Sequence, residues 1–122
     1  MISMKTVTMT GLLANAALTA LVSTRIYFQI APTIKPWPGP YITFYENTNV
    51  PAMFADDAEQ LSEITYQFDV WSKGSTTAIA AALDAALVAL GWVREFAGDL
   101  AEREDTTNEI IYHKTMRYVI LV

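Results

Sequence analysis

Residues Ser62–Lys73, SEITYQFDVWSK, alternate strictly, and the chain then changes period. Ile64, Tyr66, Phe68 and Val70 fall on one side of an extended strand; Thr65, Gln67, Asp69 and Trp71 fall on the other. Gly74-Ser75 supplies a turn. Thr76–Leu90, TTAIAAALDAALVAL, follows with Ile79, Leu83, Ala86, Leu87 and Leu90 at helical spacing. A strand with one apolar face, joined by so short a turn to a striped helix, buries both by laying the helix on the sheet. The pattern therefore predicts Tyr66, Phe68 and Val70 packed against Ile79, Leu83 and Leu87. Seven alanines raise the propensity of this helix, and Asp84 is its single charge. Its back is thus nearly apolar too. Either both sides are covered within the fold, or one packs against another subunit. Ser75 or Thr76 can cap its start, and Gly91 suits the left-handed position past its end.

The flanking segments extend this unit. No charged residue occurs between Lys5 and Arg25. A secretory signal or membrane anchor is one reading, but Thr6, Thr8, Thr10, Gly11, Asn15 and Thr19 dilute the apolar run, which is short for a span. The better reading is a buried amphipathic helix carrying Met4, Val7, Leu12, Leu18 and Leu21. It breaks at Asn15, a good N-cap, and restarts over Ala16–Val22. Arg25–Phe28 is a short run of β-formers. Ala31–Pro40, APTIKPWPGP, holds four prolines and reads as an extended connector. Trp37 within it is either a recognition ligand or, more in keeping with its bulk, a plug at the core edge.

Tyr41–Tyr45 alternates as a strand. Glu46–Gln60 loses periodicity and reads as a long loop, mobile in the free subunit and ordered on a partner. Met53 and Phe54 in it either fold back on the core or meet a partner; Asp56, Asp57 and Glu59 make it acidic. Trp92–Ala97 is a short strand. Gly98–Asn108 is a polar excursion with Glu102, Arg103, Glu104 and Asp105. Glu109–Val122 is a terminal strand, apolar on both faces near its end, as a central strand is. The order of elements gives an α+β fold, an antiparallel-dominated sheet of four to five strands with N-terminal and central helices packed on it. One domain spans residues 1–122.

Composition then prunes the chemistry. There is no cysteine, which excludes disulfides, thiolate metal sites and cysteine nucleophiles. A single histidine, His113, excludes a multi-histidine metal site within one chain. A net charge of −5 opposes sequence-specific nucleic-acid binding, which needs a basic footprint. No phosphate loop, dinucleotide-binding glycine pattern or nucleophile elbow occurs. The Asp56-Asp57 segment lacks the alternating oxygens and turn glycine of a calcium loop. The sequence places no serine or carboxylate beside His113, which reads as structural. No catalytic residue, cofactor or metal is expected.

The ordered set of segments resembles the tail completion family of tailed phages, small proteins of the tail-terminator and tail-to-head joining type. Leu18–Val22 followed by Arg25-Ile26-Tyr27 is similar to the family's opening. Pro40-Tyr41-Ile42, the intact Tyr66-Gln67-Phe68-Asp69-Val70-Trp71, Ala86–Leu90, and Tyr112 with Arg117-Tyr118 follow in family order. The Pro-rich connector departs from the pattern by its length and by Trp37. The resemblance implies a non-enzymatic virion protein, assembled in the host cytoplasm without a membrane. It implies a homo-oligomeric ring, six-fold, at the head-proximal end of the tail tube. Its partners would be the tail tube protein and a head-closure or neck protein, with DNA passing through the lumen unbound. Expected interface residues are Trp37, Met53, Phe54, Asp56, Asp57, Glu102, Arg103 and Glu104. Competing readings are another neck or head-closure connector, a non-viral oligomeric adaptor, and a small enzyme or ligand-binding domain on an α+β sheet.

Overall fold

The computed structural model describes residues 1–32, 36–55, 58–103 and 109–122, with backbone alone for residues 54–55, 58–60 and 102–103. Three helices and five strands follow in the order α1 (Lys5–Leu13), α2 (Ala16–Val22), β1 (Ile26–Phe28), β2 (Tyr41–Ala55), β3 (Ala58–Ser72), α3 (Thr77–Ala89), β4 (Val93–Arg103) and β5 (Ile110–Leu121). The strands form one sheet in the order β1-β2-β3-β5-β4. Only β1 runs parallel to its neighbour; the remaining pairings are antiparallel. The terminal strand β5 is central, between β3 and β4, as its two-sided apolar pattern predicts.

The helices cover one face of this sheet. Ile64, Tyr66, Phe68 and Val70 of β3 are buried there beside Phe44, Met116 and Tyr118, and Ile79, Leu83 and Leu87 of α3 belong to the same core. The register expected for β3 is therefore the observed one. Leu12, Leu18 and Val22 bring α1 and α2 into this core. Phe44 stacks on Phe68 at 5.2 Å, and Tyr118 meets Phe68 edge-on at 5.6 Å. Full burial of each such side chain is worth about 1.5–3 kcal/mol. Trp92, from the turn after α3, closes the layer against Tyr66 at 4.9 Å.

Local signals set the helix boundaries. Asn15 accepts a hydrogen bond from the Leu18 amide at 3.0 Å, so α2 starts on a true cap. Ser75 Oγ accepts from the Thr77 amide at 3.2 Å, while Thr76 at the cap position makes no side-chain cap. Gly91 has φ +98°, the left-handed conformation that ends α3 without a Cβ clash. The back of α3 is uncovered: Ala81, Ala85 and Val88 are exposed. Among the described residues no single helix is long and apolar enough to cross a membrane; α1 and α2 together have the length and composition but meet at a bend of 81°.

Three sequence expectations fail. Val7 and Leu21, expected in the buried N-terminal helix, are 52% and 38% exposed, while Thr8 and Val22 are buried instead. Glu46–Gln60 is not a long loop: the described residues extend β2 and open β3 in one long hairpin, with Ala55 paired to Ala58. Gly98–Asn108 is not a polar excursion from its first residue, because β4 runs on to Arg103. Register shifts fall between Glu46 and Thr48, Pro51 and Met53, Met53 and Phe54, and Arg94 and Phe96. Each bulge inserts a residue and flips the face of everything after it, which erases period-two alternation from the sequence. Pro51 is tolerated because β1 pairs with β2 only over Ile42–Phe44, leaving the outer edge of β2 beyond that point without a strand.

Candidate functional site

Among the described residues no helix covers the other sheet face. Alternation brings Tyr41 and Thr43 of β2, Gln67, Asp69 and Trp71 of β3, and His113, Thr115 and Arg117 of β5 onto it. Register sets Tyr41, Trp71, His113 and Leu100 in one cross-strand row, and Gln67, Arg117 and Phe96 in another.

Aromatic stacking substitutes for a covering layer. Trp71 lies flat on His113 at 3.9 Å and 9°, and stacks on Tyr41 at 5.9 Å on its other side. Its indole N–H donates to Thr43 Oγ1 at 3.1 Å. Under this lid Asp69 is only 6% exposed. Its Oδ1 meets His113 Nε2 at 2.8 Å and accepts from Thr115 Oγ1 at 2.9 Å; the Gln67 amide reaches both oxygens at 3.4 Å. A buried carboxylate is stable only when its oxygens are bonded in this way.

This cluster has the residue types of a catalytic triad and the wrong wiring. In a relay, the acid holds one imidazole nitrogen while the other faces the hydroxyl. Here Asp69 and Thr115 both approach Nε2, Thr115 at 3.2 Å, and the buried Nδ1 has no hydrogen-bond partner. The carboxylate and the hydroxyl share one nitrogen, and the other meets no hydroxyl among the described residues, so the cluster ties β3 to β5 without the layout of a relay. The sequence places no carboxylate beside His113, yet strand register brings Asp69 of β3 to it.

Arg117 adds a charge to the same face. Its guanidinium sits 5.7 Å from the centre of the Phe96 ring; among the described residues its buried Nε has no acceptor and it makes no ion pair. Gly98 permits the ring's position, since a Cβ there would meet Phe96 Cζ at 2.8 Å. A cavity of about 310 Å³ lies between Gln67, Phe96, Leu100, Thr115 and Arg117. A larger cavity, about 580 Å³, opens at the start of α3 between Lys73, Thr77, Tyr112 and Lys114. Its cations are already engaged, Lys73 with Glu109 and Lys114 with Asp99.

The residues expected at an interface are not gathered in one place. Trp37 packs against Tyr41 at 5.7 Å, extending the aromatic row, with Lys73 5.2 Å from its ring. Met53 is exposed on β2, and Phe54 pairs with Glu59 through the backbone. Glu102 and Arg103 pair with Ile111 and Ile110 at the opposite end of the sheet. Asp56, Asp57 and Glu104 lie outside the described residues. The sequence reading missed Asp69, Thr115, Phe96 and Arg117; the polar middle of the second face of β3 was the available signal.

The fold is an α+β sheet with helices packed on one face and a polar aromatic cluster on the other. The sequence matches the family described as tail completion protein gp17 over residues 9–118, and the chain belongs to that family, a class of phage tail structural proteins. Among solved structures it is similar to a chain in the virion of a native gene transfer agent particle, with 18% identity and a TM-score of 0.58 over 93% of this chain and 90% of that one. That likeness concerns the fold. No curated protein sequence matches the chain.

Proposed function

We propose that the chain is a ring subunit at the head-proximal end of the phage tail tube, which completes the tail and joins it to the head. One observation carries this beyond family membership: the two long hairpins leave the sheet at opposite ends. The β2–β3 turn lies beyond the Ala55–Ala58 pair, at the end where Leu121 meets Glu63. The β4–β5 turn lies beyond the Arg103–Ile110 pair, at the other end. A subunit standing with its strands along the tail axis presents one hairpin to the tail tube protein and the other to a head-closure or neck protein. Six copies by resemblance would close around the channel, since a heterologous contact repeated about an axis makes a ring. The acidic balance of the chain repels phosphate, so DNA would pass without sticking. The role is non-catalytic, in a particle assembled in the host cytoplasm.

The test is complementation of a phage lacking the gene, read by electron microscopy. Charge reversal at both Asp56 and Asp57 should yield unjoined heads and tails; an unchanged melting curve is the result expected of charges outside the core, which contribute little to stability. Normal joining by that variant removes the β2–β3 turn from the junction. Absence of a ring at tail ends in wild-type particles removes the reading altogether.

A further inference from the structure

Hydrogen-bond donors gather in front of α3 without an acceptor. Tyr112 and Lys114 alternate with His113 and Thr115, so they point to the side where Met116 and Tyr118 are buried. The helix starts short of them, and the space between is the cavity of about 580 Å³. Thr76 lines that cavity and is only 9% exposed. At φ −92° and ψ −8° it is already helical, and its side chain makes no cap. Among the described residues its hydroxyl has no hydrogen-bond partner.

The first turn of the helix adds to this. An α-helix leaves its first four amides without a partner inside the helix. Ser75 Oγ takes the Thr77 amide, and among the described residues no side chain takes those of Ala78 and Ile79. The first turn holds no acid, so nothing within it offsets the positive end of the helix dipole.

Charge around the cavity is uneven. Lys73 and Lys114 line it, and each has an acid partner, Glu109 and Asp99. The lysine side chains are 25% and 24% exposed, the acids 53% and 70%. The cations are thus set in the wall and the acids stand at its rim. Pairs to acids so solvated are weak. The rim acids also select the ligand. They repel a polyanion such as a nucleic-acid backbone, while a single carboxylate meets two ammonium groups and a helix start. Tyr112 offers a ring for the stem that carries it.

We infer that this cavity is a carboxylate-binding site, taking an acidic side chain of a partner protein on Thr76 and the Ala78 and Ile79 amides, beside Lys73 and Lys114. It lies at the end of the sheet from which the β4–β5 hairpin leaves. Which protein meets that end rests on the junction reading above; the chemistry of the site does not.

The test uses the free subunit, so it stands apart from ring and junction. N-acetylglutamate α-amide is titrated at constant ionic strength, and the amide resonances of Thr77, Ala78 and Ile79 are followed by NMR. Saturable shifts are expected, with the glutamine counterpart about tenfold weaker or more. Thr76→Val should weaken binding roughly fivefold, and Thr76→Ser should restore it. Should Thr76→Val fail to fold, Lys114→Gln decides, and unchanged binding by it refutes the site. Equal shifts from the glutamine counterpart, or none from either, also refute it. Tighter binding of inorganic phosphate would make this a phosphate site and overturn the assignment.

Discussion

On the helix side of β3, Phe68 has no exposed surface and is walled by Phe44, Trp92 and Tyr118. One residue on, Asp69 points the opposite way and is almost as buried, with no helix above it. The first site is buried by apolar bulk. The second is buried by a flat aromatic stack and a set of hydrogen bonds. Bulk tolerates small errors in direction; a bonded network does not. The covered face thus carries most of the stability. The uncovered face is held by directional bonds and leaves Val93, Phe96 and Leu100 exposed.

The largest expected effect breaks the covered face. Phe68→Ala should cost about 3–5 kcal/mol, the usual loss when a large core side chain leaves a cavity. Urea denaturation measures it; a loss under about 1 kcal/mol would mean that this core collapses easily and that the contrast between faces is weaker than drawn.

Asp69→Ala comes next, at about 1–3 kcal/mol, because His113 and Thr115 lose their acceptor under the Trp71 lid. The sharper comparison is a double variant, Asp69→Leu with His113→Phe. Replacing both partners by apolar groups should recover most of that loss. Failure to recover would show that the network specifies strand register in addition to satisfying a charge.

What the sequence revealed divides along the same line. The β3 face, the α3 stripe, the Asn15 cap and the Gly91 stop are local patterns with a fixed period, and the structure matches them. The interaction of Asp69 with His113 spans two strands with α3 and β4 between them in the chain, and only register creates it. Alternation shows that each faces away from the core but not which residue stands opposite. The long hairpin was hidden because its bulges destroy the period that announces a strand, and its Asn and Pro residues imitate a loop. The uncovered patch was hidden because Phe96 lies just past the bulge after Arg94, within a segment whose alternation is broken.

Buried phenols sharpen the contrast through pH. Tyr66 is pushed up to about 12, first by burial and then by the charge of Glu46. Tyr118 is pushed up further, by burial first and then by its hydrogen bond to Asp84 at 2.5 Å and that carboxylate's charge, with Arg94 opposing. The folded state holds these protons more tightly than the unfolded chain, which releases them near 10. Their stabilisation is therefore fully present below that pH and falls as pH rises, for Tyr66 through about 12. Tyr118→Phe should cost about 1 kcal/mol at neutral pH and flatten the alkaline decline. An unchanged alkaline slope would mean that Tyr118 does not dominate it.

Arg117→Ala should have the smallest effect on the free subunit, within about 0.5 kcal/mol. Among the described residues the guanidinium makes no ion pair, and its contact with Phe96 is a partly exposed cation–π interaction. Removing it also removes the unpartnered Nε, which offsets the lost contact. Urea denaturation of the free subunit measures the difference. Loss of stability equal to that of Asp69→Ala would make Arg117 part of the subunit's own framework.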